Sequence, residues 1–358
     1  MRFLFKTSYQ EDIRLFSHGG QKFWYAMLGV VLLLTPWIFS DYFVSQLVFI
    51  WIYSIVGLGL MLLVGYTGQV SMGHAAFLAM GAYTEAYLQQ HGWPFMLSLG
   101  SAAIVAGLTG VVVGLPALRV KGMYLAISTL AFGFIVEEGV TRADSITGGS
   151  SGLTLESLEI FGIPIDSEQR FYYVTLAILV VCVIAVLNLL RSPTGRAFVA
   201  IRDSEISAQS MGIHLARYKT IAFAISAALA GIAGALYAHK LRFLSPDQFT
   251  FLQSIELLIM IVIGGLGSVY GAIFGPAFWI LAQQFIVNVK DWLPPEIGRQ
   301  TGLQPTIFGL CLVAVVLFEP LGLYGRWLKI RTFFATFPFY RKGMFKRQKS
   351  YMKSERLK

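Results

Sequence analysis

From Tyr42 to Thr84 the chain runs for 43 residues without an Asp, Glu, Lys or Arg. An α-helix needs about 20 residues to cross about 30 Å of hydrocarbon. The stretch is too long for one crossing and is divided at its Gly/polar break. The intervals Ala86–Leu118 and Leu257–Val289 hold 33 uncharged residues each. Phe23–Ser40, Phe171–Leu190, Ile221–His239 and Gln300–Phe318 hold 18, 20, 19 and 19. Only 13% of the 358 residues are charged and 56% are hydrophobic, against roughly 25% charged in a soluble domain. A soluble protein of this size cannot cover its surface with so little charge, which excludes a cytosolic enzyme. The apolar content also excludes a disordered polyelectrolyte.

Dividing the long runs at Gly/polar breaks predicts an all-α integral membrane protein, a polytopic bundle of about ten helices. The segments fall at 23–40, 44–64, 72–89, 96–115, 122–140, 171–190, 220–239, 252–267, 269–289 and 305–323. In lipid each must be helical, because an unpaired backbone amide has no water to bond. The segments at 72–89, 122–140 and 252–267 are short or carry acids (Glu85, Glu137, Glu138, Glu256), and one of them can be re-entrant. The first apolar run lacks a small-residue cleavage pattern after it and reads as a first span, not a removable signal peptide.

Charge sets the orientation. Gly325–Lys358 carries eleven Lys/Arg and one acid, and the other 324 residues sum to −1. The net +9 of the chain therefore describes a tail that flanks membrane lipid, not a nucleic-acid surface. With the N-terminus inside (Arg2, Lys6, Arg14, Lys22), ten crossings put Arg119, Lys121, Arg191, Arg196, Arg202, Arg217, Lys219 and the tail inside. The loop from Thr141 to Arg170 falls outside, with five acids against two arginines. Lys240 and Arg242 fall outside too and go against the rule. The expectation is a multi-pass membrane protein with both termini cytoplasmic: a lead at 1–22, a membrane domain at 23–324 and a tail at 325–358.

No P-loop, nucleophile elbow or paired histidine spacing is present, so no catalytic, metal or cofactor site is expected. Cys182 and Cys311 sit in apolar runs, where cysteine behaves as a small hydrophobe. Three stretches carry information. The longest polar stretch assigned inside, apart from the tail, is 191–219, RSPTGRAFVAIRDSEISAQSMGIHLARYK. In it Asp203 or Ser204 can cap a short helix, Glu205 suits its positive end, and Gly212 can supply the left-handed residue that stops it. A helix of about two turns is not stable alone; it leans on the membrane domain or on another protein, or the stretch is an ordinary linker with a surface helix. The second is Gly65–Phe77, where three glycines with Gln69, Ser71 and His74 interrupt an apolar run. Broken helices often face a transport path, and small residues equally serve close helix packing; His74 fits packing better than proton carriage. The third is 263–276, where Gly264 and Gly267 echo the spacing of Gly65 and Gly68.

Six stretches resemble the LivM-type permease of branched-chain amino acid ABC importers: GYTGQVSMGHAAFLAMGAY (65–83), LRVKGMYLAISTLAF (118–132), TGGSSGL (147–153), SPTGRAFVAIRDSEISAQSMGI (192–213), AFAISAALAGIAGALYA (222–238) and GGLGSVYGAIFGP (264–276). The resemblance covers about 25–325 and is specific for permease rather than for solute. It implies half of a membrane channel paired with a LivH-type permease. Two cytoplasmic ATPase subunits would burn the ATP and a periplasmic binding protein would deliver Leu, Ile or Val. This chain itself would be no enzyme. The resemblance makes 204–212 the coupling helix, with Ser204, Glu205, Ala208 and Gly212 as ATPase-coupling residues. Against the family's Glu-Ala-Ala-x-x-x-Gly, the acid here stands one place early at Glu205. Gln69, Ser71 and His74 are the candidates for the translocation path. Two rivals stand beside this reading: a urea or short-amide permease, and an ion-coupled transporter with Glu85, Glu256 or His74 as proton sites.

Overall fold

The computed structural model describes residues 19–116, 122–160, 162–292 and 321–336, with isolated positions between 306 and 317. Arg2, Lys6, Arg14, Arg119, Lys121, Cys311, most of the segment at 305–323 and the tail beyond 336 lie outside the described residues. Nine of the ten expected segments coincide with a helix: α1 (Gly19–Ile38), α2 (Asp41–Leu60), α3 (His74–Gln90), α4 (Phe95–Gly114), α5 (Met123–Arg142), α7 (Glu168–Arg191), α10 (Leu215–Leu241), α11 (Phe251–Gly264) and α12 (Gly271–Trp292). Between them lie α6 (Asp144–Thr147), α8 (Pro193–Asp203) and α9 (Glu205–Ser210), and α13 (Gly322–Thr336) follows. Among the described residues six helices are long and apolar enough to cross a membrane: Asp41–Tyr66, Phe95–Gly114, Met123–Arg142, Glu168–Arg191, Leu215–Leu241 and Pro246–Gly264.

Burial sorts these helices. Along their apolar stretches α2 is 78% buried and α10 72%, against 22–28% for α4, α5 and α7. The two central helices are therefore held by protein, and the outer three keep broad apolar faces. α10 can be central because its sequence is small. Gly231 and Gly234 face α4 and α3, and a Cβ on Gly234 would stand 2.1 Å from the Leu78 carbonyl oxygen. Backbones approach closely there, as small residues allow in membrane bundles. Cys182 is buried on α7 as a small apolar group.

α2 does not stop at Leu60. It widens into one π turn, Met61–Tyr66, in which the Thr67 amide donates to the Leu62 carbonyl. The Thr67 hydroxyl also donates to Leu63 O at 2.5 Å. The chain then runs irregularly to Gly73 before α3 begins.

The fold is not helical throughout. The 143–167 connection, expected only as a loop, is a folded cap at the end opposite α8 and α9. The Thr147 hydroxyl donates to Val140 O at 2.6 Å, and Gly148, Gly149 and Gly152 take φ of +69°, +54° and +75°. This turn lays β1 (Leu153–Thr154) antiparallel on β4 (Phe243–Leu244), with Leu153 opposite Leu244. A second ribbon pairs β2 (Leu158–Ile160) with β3 (Ile163–Ile165). The first ribbon seats the connection on the end of α10, and the second lies against α4 and α7.

Candidate functional site

The stretch at 191–219 forms two helices, not one. Ser192 caps α8 by accepting the Gly195 amide at 3.4 Å, and Pro193 holds its first position, where a missing N–H costs nothing. Phe198 and Ile201 bury its inner face. Ser204 then breaks the helix in extended conformation and caps α9, its hydroxyl accepting the Ser207 amide at 3.3 Å. Gly212 ends α9 with φ +82°. The Ile213 amide donates to Ala208 O and the Gly212 amide to Gln209 O, both at 3.0 Å, the paired bonds of a left-handed helix stop.

This short helix is fastened to the central helix. Lys219 Nζ on α10 donates to Glu205 Oε1 at 2.6 Å, and the lysine side chain is 5% exposed. Ala208 is buried beneath the helix. The four residues singled out from sequence thus build and seat the knob: Ser204 starts it, Glu205 ties it down, Ala208 packs it and Gly212 stops it. Its outward surface is made by others. Ile206 is 81% exposed and Met211 85%, two large apolar side chains standing clear, one on the six-residue helix and one just past its end.

α8 connects the knob to the broken segment. Arg202 Nη1 donates to the Gly65 carbonyl oxygen at 3.1 Å, a cation at a helix C-terminus where the backbone dipole favours it. Gly68, at φ +71°, lies against the Arg202 stem. The other glycine turn arrives at the same place: the Gly267 amide donates to Met61 Sδ at 3.1 Å, and a Cβ on Gly65 would stand 2.7 Å from the Gly267 nitrogen. The two spacings that echo each other in sequence therefore meet in space beneath α8.

The polar residues of the break divide into bonded and unbonded. His74 is fully buried, with Nε2 3.3 Å from Ser226 Oγ, which itself donates to Gly59 O at 2.7 Å. Neighbouring amides are also met: Met72 N–H by Thr129 and Ala75 N–H by Ser254. Gln69 and Ser71 are buried, and neither the Gln69 amide group nor the Ser71 hydroxyl has a hydrogen-bond partner among the described residues.

Reasoning from sequence missed the polar contacts at the far end. Glu85 is 1% exposed, accepts from Ser98 Oγ at 2.7 Å and lies 2.9 Å from His239 Nε2. Lys240 Nζ reaches Glu168 at 2.5 Å and Ser45 at 2.7 Å. Three helices meet in each group, so no local signal could have announced the pairings. Among the described residues no group of His, Cys, Asp and Glu could hold a metal ion.

Residues 42–317 match the family described as branched-chain amino acid transport system / permease component. The chain is 35% identical over 328 residues to the high-affinity branched-chain amino acid transport system permease protein LivM of Salmonella typhimurium, covering 85% of this chain and 75% of the relative. The LivM of Escherichia coli K12 gives the same identity and coverage. LivH of Escherichia coli K12 is 22% identical over 298 residues, 76% of this chain and 91% of the relative. No solved structure matches.

Proposed function

The chain belongs to the family of permease components of branched-chain amino acid transport systems, and from that membership we propose that it forms one half of the path by which an ATP-driven importer carries leucine, isoleucine or valine across the bacterial inner membrane. A LivH-type permease supplies the other half. Two ATPase subunits dock on the knob end, and a periplasmic binding protein delivers solute at the capped end. On this reading the nine helical segments cross together with the one the sequence leads us to expect at 305–323, an even number that leaves the lead at 1–22 and the tail at 325–358 both cytoplasmic. Arg191, Arg196, Arg202 and Arg217 gather at the knob end, which fits the cytoplasmic side. Lys240, which goes against that rule, is paired with Glu168, so its charge counts for little.

The observation that carries the reading is the knob. A capped helix bound to α10 through Lys219, with Ile206 and Met211 standing free, is built to be gripped. ATP binding draws two such knobs together. A displacement of α9 reaches α10 through the Glu205–Lys219 pair, and reaches the break at 65–71 through Arg202. The two sides of the path then alternate, each state holding its own favourable contacts, since a ligand shifts an equilibrium only by differential affinity. Gln69 and Ser71, with unspent polar groups at the break, are the path residues this reading favours.

The test replaces the grip and leaves the frame. Ile206→Glu in the assembled transporter is expected to lower recovery of the ATPase subunits on the tagged permease, with membrane insertion unchanged. Undiminished recovery and undiminished leucine uptake would remove the knob from its role.

A further inference from the structure

A corner near the capped end is aromatic, acidic and used by none of the contacts above. Five rings form a continuous chain across α2, α10, α3 and the 3-10 turn Pro246–Phe249. Phe49 stacks on Tyr53 at 6.4 Å, Tyr53 meets Tyr237 at 6.3 Å, Tyr237 meets Phe249 at 6.0 Å and Phe249 meets Tyr83 at 5.8 Å. Gln253 and Glu256 face them from the first turns of α11, three apart and so on one helix side. Gln253 and Glu256 both lie within electrostatic reach of Tyr53, and Glu256 within reach of Tyr237 as well. Asp247 stands near Tyr83 and near Glu137 of α5.

The unspent valences are what identify the ligand. Gln253 is 8% exposed, and its Oε1 has no hydrogen-bond partner among the described residues; the Tyr83 hydroxyl, in a side chain 5% exposed, has none either. Oε1 can only accept, and so can the Glu256 carboxylate. A buried acceptor left without a donor is costly, so the corner asks for a ligand that brings N–H donors and positive charge. Lys240 lies 5.4 Å over Phe49 and is spent on Glu168 and Ser45. Ring faces with one carboxylate suit an organic ammonium. A hard divalent cation demands six or more oxygens, and no such cluster exists among the described residues.

We propose that this corner binds a primary ammonium group, the amino end of a branched aliphatic amino acid, with Glu256 and the Gln253 carbonyl as acceptors and the faces of Tyr53 and Tyr237 as the wall. The aliphatic side chain then lies along the Phe249 and Tyr83 rings. The assignment rests on the importer reading above for the identity of the solute. The ammonium preference rests on the corner alone.

The experiment uses the purified transporter, permeases with ATPases, in detergent, and isopentylamine and 4-methylpentanoate as probes. They share the branched chain, and each carries one of leucine's two ends. The amine is expected to raise the melting temperature and the acid to leave it unchanged. Glu256→Gln and Gln253→Leu, each checked for intact assembly, are expected to weaken the amine's apparent affinity by about tenfold or more. Glu256→Asp should restore most of it. Equal stabilisation by the two probes, no stabilisation by the amine, or unaltered amine affinity in both variants overturns the site. Leucine uptake by the same wild-type transporter reconstituted into liposomes, with ATP and the binding protein supplied, reports separately on the importer reading: its absence defeats that reading and leaves the amine result to judge the corner.

Discussion

Gly212 stops α9 at φ +82°, a backbone state that costs an L-residue about 1–2 kcal/mol and costs a β-branched one more. Gly212→Val is therefore expected to fray the knob and lower co-purification of the ATPase subunits, while the bundle inserts normally. Wild-type recovery would free this glycine of any such role. Lys219→Met makes a sharper test of transmission. It leaves Glu205 without its cation, at about 1–3 kcal/mol for a lost charge-assisted bond, and loosens the knob from α10. Leucine uptake should fall while ATP hydrolysis by the assembled transporter continues; parallel loss of both would mean the pair only holds the fold. Glu205 was readable in advance as an acid at a helix start. Its partner, fourteen residues on, was not, because their meeting depends on how α9 folds back over α10. Ile206 and Met211 were equally hidden, since exposure of an apolar residue is decided by what fails to cover it.

At the scale of elements, uncharged intervals and Gly/polar breaks placed nine helices within a few residues, because lipid leaves a chain no other way to satisfy its amides. Two features escaped. The 191–219 stretch divides at Ser204 into two helices, since a serine that caps the second must leave the first. The 143–167 connection pairs with the strand after α10 because TGGSSGL supplies the positive-φ glycines that turn β1 onto β4, and Gly162 turns the second ribbon. Glycines at element contacts carry a prediction of their own. Gly234→Ala puts a Cβ 2.1 Å from Leu78 O, backbone that cannot step aside cheaply. Overpacking of this kind costs about 1–3 kcal/mol, to be seen as a lowered melting temperature of the purified transporter. The same change at Gly100, on the helical backbone of α4 with open space around it, meets no neighbour.

For the whole molecule, charge distribution predicts that the basic tail is a flank. Deleting 335–358 should leave leucine uptake close to wild type in cells with normal membrane insertion; lost uptake from a normally inserted protein would give the tail a working part. The sequence alone settled that the chain is a membrane bundle of the permease family and where its helices and breaks lie, since hydrocarbon rewards only uncharged helical runs and glycine breaks are local. It also supplied the knob's frame, because caps and stops are read within one turn. Which helices are central, that the two glycine turns touch beneath α8, and that Glu85 finds His239 were decided only by packing. Each joins residues far apart in the chain, and no local preference sets which side chains meet when helices close on one another.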